Sequence, residues 1–152
     1  MNFNTIDAIR QSGFEGFVTI LALQKSRCCE VPTKPGVYLI LRSNTAPPDF
    51  LSESVGGHFK GKNPTVAVGE LERKWVEDAV VLNIGKAGRP GNATLRSRLT
   101  QYMQFGQGEK EKQWGITAED SAATSRPDLA REEYDFSSGR SWRCAVYPNA
   151  TT

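Results

Sequence analysis

The chain has 152 residues, with 19 Lys plus Arg against 17 Asp plus Glu and a formal net charge of +2. That length suits one domain with a sizeable core, and so small a net charge does not by itself indicate a polyanionic partner. The cysteines are Cys28, Cys29 and Cys144, the single histidine is His58, and no CxxC pair occurs, which argues against a disulfide framework and a Cys/His zinc centre.

The N-terminus has neither a basic leader segment nor a long apolar run. The expectation is a cytoplasmic protein with reduced thiols and no membrane association. Asn4 or Thr5 is placed to cap a short helix through Ile9 that stops near Gly13. A further turn or two is expected over Thr19–Lys25, so residues 1–30 read as an N-terminal helical extension.

Pro32 and Pro35 punctuate the approach to Gly36-Val37-Tyr38-Leu39-Ile40-Leu41, a β-rich apolar run that reads as a well-buried strand. Alternation puts Tyr38 and Ile40 on one face and Val37, Leu39 and Leu41 on the other. Residues 42–79 form a long insertion rich in turn signals (Pro47-Pro48, Gly56-Gly57, Asn63-Pro64), with a short helix expected within Val68–Val76. His58 falls in this insertion and reads as a surface-loop residue.

Val80-Val81-Leu82-Asn83-Ile84 is the second strand, followed by a glycine-rich connection and a helix that Thr94 is placed to cap. On that helix Leu95, Leu99 and Tyr102 share a face, which Arg98 borders, while Arg96 projects elsewhere. No Asp or Glu occurs between Val80 and Gly106, yet Lys86, Arg89, Arg96 and Arg98 all do. Such a one-sign cluster attracts phosphate, or is simply a solvated helix face. Beyond Phe105 the text turns polar and aperiodic. One helix, Leu129–Tyr134 with Pro127 in its first turn, and a weaker strand signal over Trp142–Tyr147 stand out in residues 107–152, a divergent and poorly patterned segment.

Gly36-Val37-Tyr38, Asn83-Ile84-Gly85 and the basic helix carrying Arg98 and Tyr102 resemble the two half-motifs and catalytic helix of the GIY-YIG nuclease family. The resemblance covers roughly Glu30–Leu41 and Val80–Gly106, and neither half-motif would be specific alone. It implies an α/β fold, a small antiparallel β-sheet flanked by helices, with the core over residues 31–106 and the insertion at 42–79. It also implies a metal-dependent endonuclease that hydrolyses DNA phosphodiester bonds using Mg²⁺ or Mn²⁺.

The catalytic residues so implied are Tyr38, Lys86, Arg98 and Tyr102. Tyr38 matches the tyrosine of the first half-motif, expected near the metal to help activate water. A phenol has a free pKa of about 10 and needs a nearby cation or metal to act as a base near neutrality; Lys86 and Arg98 are the candidate sources. Arg98 matches an arginine that contacts the scissile phosphate, a task suited to a permanently charged bidentate guanidinium. Tyr102 matches an aromatic position that lines the site in some members, or packs beside Leu99. Asn83, Arg89 and Arg96 are candidate substrate-binding residues.

Two departures from the family bear on activity. Asn83 stands where the second half-motif has tyrosine, and an amide cannot take a proton from water. The family's metal-binding glutamate has no aligned counterpart; Glu132 and Glu133, on the expected Leu129–Tyr134 helix, are the candidates by context, since carboxylate oxygen suits Mg²⁺. The alternative is a catalytically impaired DNA-binding or interaction module derived from such a nuclease. A Walker-type nucleotide loop is excluded because Val80 and Ala87 stand where it needs glycine and Ser or Thr.

Overall fold

The computed structural model describes residues 3–43, 46–48, 50–54, 63, 65–88, 93–106 and 142–148. His58 and the helix expected over Leu129–Tyr134 lie outside the described residues. The elements in order are α1 (Ile6–Gln11), β1 (Glu15–Thr19), α2 (Ile20–Ser26), β2 (Gly36–Leu41), α3 (Val68–Lys74), β3 (Val81–Ala87), α4 (Leu95–Gly106) and β4 (Arg143–Pro148). Four antiparallel strands form one sheet in the order β1-β4-β2-β3, and the four helices pack on it.

The two half-motif strands are direct neighbours. Tyr38 pairs with Gly85, Leu39 with Ile84 and Ile40 with Asn83. The side-chain alternation expected of β2 divides the core in two. Tyr38 and Ile40 face a cluster with Ile20 and Leu23 of α2, Leu95, Leu99 and Met103 of α4, and Cys144 and Val146 of β4. Leu39 and Leu41 face the other side, with Ile9 of α1, Phe14, Phe17 and Ala145, and Val37 packs against that cluster. Opposite the Ile40–Leu41 step of β2, a bulge in β3 leaves Leu82 as the extra residue and sets Val81 opposite Leu41. The extra residue lets Leu82 join the α4 side although Asn83, its neighbour, also lies there.

Local signals account for the helix ends. The Thr5 and Thr19 hydroxyls accept hydrogen bonds from the N–H groups of Ala8 and Ala22, which fixes the starts of α1 and α2. At α4 the cap is reciprocal: the Ser97 N–H donates to Thr94 Oγ1 (3.2 Å), and the Thr94 N–H donates to Ser97 Oγ (2.9 Å).

One expectation is corrected. Residues 1–30 are not a helical extension, because β1 lies within them and joins the sheet edge. Gly16 (φ +90°) and Phe17 (φ +44°) bend β1 into a bulge, which removes the plain alternation that marks a strand. Of residues 107–152, the described 142–148 supply β4, an inner strand between β1 and β2. β4 agrees with the weaker strand signal over Trp142–Tyr147, and with Cys144, Ala145 and Val146 all buried it is covered on both faces.

The insertion is tied back by Arg42. Its guanidinium lies over the Trp75 ring at 4.7 Å and donates to the carbonyls of Ala79 (3.4 Å) and Ala46. Trp75 in turn meets Phe50 edge-on at 5.8 Å. Burial of this charge is tolerated because carbonyl oxygens and an aromatic face replace its water. No helix among the described residues is long and apolar enough to cross a membrane.

Candidate functional site

Tyr38, on an inner strand, points toward α4 and is only 6% exposed. Its ring takes the space above Gly85: a Cβ at residue 85 would collide with Tyr38 Cζ, Cε1 and Oη. Gly36 meets a similar demand, since a Cβ there would strike the Tyr147 carbonyl oxygen and come within 2.9 Å of Leu95 Cδ1. One glycine of each half-motif is thus explained by close approach, which requires the absence of a side chain.

From α4, Tyr102 meets the Tyr38 ring at 6.3 Å with an interplanar angle of 60°. Arg98, half-buried on the same helix, is close enough for its charge to favour the Tyr38 phenolate, and its Nη1 donates to Gln101 Oε1 at 3.4 Å. The helical spacing of three residues puts Gln101 within reach of Arg98. Asn83 pairs with Ile40, so register puts it on the Tyr38 face. Tyr38, Asn83, Arg98 and Tyr102 therefore occupy one side of the sheet, toward its β3 edge.

Lys86 does not join them. It pairs with Val37, whose side chain packs with the α1-side cluster, so Lys86 projects from the opposite face of the sheet. The strand period of two, applied through the Tyr38–Gly85 pairing, requires this. Lys86 is consequently no source of a field for the Tyr38 hydroxyl.

Arg96, a candidate substrate-binding residue, is held by backbone carbonyls. Its Nε donates to the Val31 carbonyl at 2.8 Å and its Nη2 to the Cys29 carbonyl at 2.6 Å. The backbone N–H groups of Leu95 and Arg96 donate to the carbonyls of Lys34 (2.8 Å) and Pro32 (3.2 Å). The first turn of α4 is thereby fastened to the α2–β2 connection, which sets where Arg98 sits relative to Tyr38. Because its N–H donors are used in this way, the start of this helix is not an open anion cradle.

The electrostatics of Tyr38 run against the expected base. Burial, reinforced by neighbouring Cys144, pushes the phenol up to about 12, and the Arg98 charge lowers it only in part. Desolvation penalises the charged form and dominates here. Burial also raises the thiols of Cys144 and Cys28, the latter despite a hydrogen bond with Thr100. All three cysteines are free thiols, with Cys29 alone exposed.

Among the described residues, no three His, Cys, Asp or Glu side chains come together to hold a metal. Arg89, Glu132 and Glu133 lie outside the described residues. Sequence reasoning missed Cys144 and Gln101 as neighbours of Tyr38 and Arg98; helical spacing from Arg98 was a usable signal for Gln101, whereas nothing local in the sequence indicated Cys144. Comparison with models of protein families, with characterised proteins and with solved structures finds no match.

Proposed function

We propose that the protein is a GIY-YIG-like, metal-dependent DNA endonuclease of low turnover, acting on backbone phosphodiester bonds. The observation that carries this reading is the juxtaposition of Tyr38, Arg98 and Tyr102 on one face of two paired strands, with Tyr38 packed on Gly85 of the second half-motif. Arg98 would bind a phosphate oxygen, Tyr102 would line the site, and Asn83 would orient a water or phosphate oxygen without taking its proton. Mg²⁺ or Mn²⁺ would supply charge stabilisation, with ligands from outside the described residues; Glu132 and Glu133 remain the candidates.

A second reading, a DNA-binding module derived from such a nuclease, draws support from two specific features. Asn83 replaces a tyrosine, and the Tyr38 phenol holds its proton far above neutrality. Incubation of supercoiled plasmid with Mg²⁺, Mn²⁺ or chelator separates the readings. Nicking that either metal supports and chelator abolishes is the outcome expected of the endonuclease. DNA retention without nicking selects the binding module.

A further inference from the structure

We propose that the outer edge of β3 takes an extended acidic peptide as a further strand, with an apolar side chain over Ile84 and a carboxylate beside Lys86. The inference stands independently of the DNA reading, because it concerns the sheet edge and the face opposite Tyr38.

Position is the first ground. Among the described residues β3 pairs with β2 alone, at the end of the sheet, so one row of its backbone N–H and carbonyl groups faces outward. Ile84 pairs with Leu39 and Lys86 with Val37, which sets both side chains on the α1 side of the sheet, two residues apart. Both are exposed there, Ile84 at 61% although it is a large aliphatic residue in the middle of a strand. An added strand alternates in the same way, so it meets this pair with residues i and i+2, one apolar and one acidic. The bulge at Leu82 ends the regular edge and leaves residues 83–87 to receive a peptide of about five residues.

Charge is the second ground, and it selects the occupant. No Asp or Glu occurs between Val80 and Gly106, so nothing in the sequence of β3 opposes a carboxylate. A second copy of the chain fits poorly. Antiparallel self-pairing over residues 83–87 sets Ile84 of one copy opposite Lys86 of the other, which makes the two lysines diagonal neighbours on one face. Like charges so placed repel, and a lysine commonly keeps identical edges apart in this way. A nucleic-acid strand has phosphates for Lys86 but no amide groups at the strand spacing of about 3.3 Å to meet the edge.

The test titrates the whole ¹⁵N-labelled chain with the capped peptides Thr-Val-Thr-Asp-Thr and Thr-Asp-Thr-Val-Thr, which cover parallel and antiparallel addition. Versions with lysine in place of aspartate are the controls. Amide shifts should concentrate on residues 83–87. In one of the two orders the aspartate peptide should bind about 3-fold more tightly than its lysine counterpart, the scale of an exposed ion pair. Lys86→Glu should reverse that ranking, and Ile84→Ser should weaken both peptides. Absent shifts, shifts centred away from β3, or a ranking that Lys86→Glu leaves unchanged would overturn the proposal. So would occupation of the edge by another partner: a concentration-dependent dimer that Ile84→Ser dissolves, or a DNA duplex that displaces the peptide.

Discussion

The phenol of Tyr38 fills the space that any side chain at residue 85 would need. Gly85→Ala should therefore destabilise the fold by about 1–3 kcal/mol, the usual range for overpacking a tight core. Urea denaturation measures this. Tyr38→Phe should not relieve the strain, because ring carbons as well as the hydroxyl cause the collision. Tyr38→Ala should, so the Gly85→Ala/Tyr38→Ala pair should cost less than the sum of its parts. Strict additivity would mean that the ring does not rest on Gly85.

The three nearby cations should separate by phenotype. Arg96→Ala removes the donors to the Cys29 and Val31 carbonyls and should lower stability by about 1–3 kcal/mol. Arg98→Ala should reduce DNA affinity and nicking at least 10-fold, the scale of a lost guanidinium–phosphate contact. Lys86→Ala, on the other face of the sheet, should change either by less than about 3-fold, as suits a remote screened charge. Equal losses from Arg98→Ala and Lys86→Ala would indicate general electrostatic attraction in place of a defined site.

Much of this arrangement was legible in the residues. The apolar run of β2, its alternation, the Thr94 cap and the Leu95/Leu99 stripe are local patterns, and each is reproduced in the fold. The antiparallel pairing of β2 with β3 across a long insertion also followed, since loop closure costs only about 0.6 kcal/mol per doubling of length. What was not legible depended on long-range register or context. The face of Lys86 is set by pairing with Val37, and β1 is disguised by its bulge. The carbonyl partners of Arg96 and Arg42 were not legible because sequence does not reveal which carbonyls will come within reach of a guanidinium. The raised proton affinity of Tyr38 is a consequence of burial, which the half-motif does not disclose.

Stability should decline on the alkaline side. Tyr38, Cys28 and Cys144 all have raised values in the fold, so in that range the unfolded chain binds fewer protons than the folded one. Below the ordinary thiol and phenol values both states are protonated and these groups contribute no pH dependence. As pH rises past them, the unfolded state ionises first and stability falls. For Tyr38, ordinarily near 10 and about 12 in the fold, the loss accumulates between those values and totals about 2–3 kcal/mol. Urea midpoints should be flat from pH 7 to 8 and drop above pH 9. In Tyr38→Phe the portion above pH 10 should shrink, and an unchanged slope there would remove Tyr38 as its source.

Arg42 should prove to be a structural residue of the insertion. Arg42→Ala removes the stacking on Trp75 and the donors to Ala46 and Ala79, and should cost about 2–4 kcal/mol, typical of breaking a buried charged network. Thermal denaturation checks the loss. Arg42→Lys should recover less than half of it, because an ammonium lacks the planar fork. Full recovery by lysine would mean that charge alone holds the insertion.

The central claim is tested most directly by timed nicking of supercoiled plasmid by the unmodified chain, Arg98→Ala and Asn83→Tyr, each with Mg²⁺, Mn²⁺ or chelator. The account predicts slow, metal-dependent conversion to the open circle, at least 10-fold slower in Arg98→Ala and faster in Asn83→Tyr, where a phenol replaces the amide on the Tyr38 face. If neither the unmodified chain nor Asn83→Tyr nicks the plasmid with either metal while both still retain it, the endonuclease proposal is contradicted, and the site is one that binds DNA without cutting it.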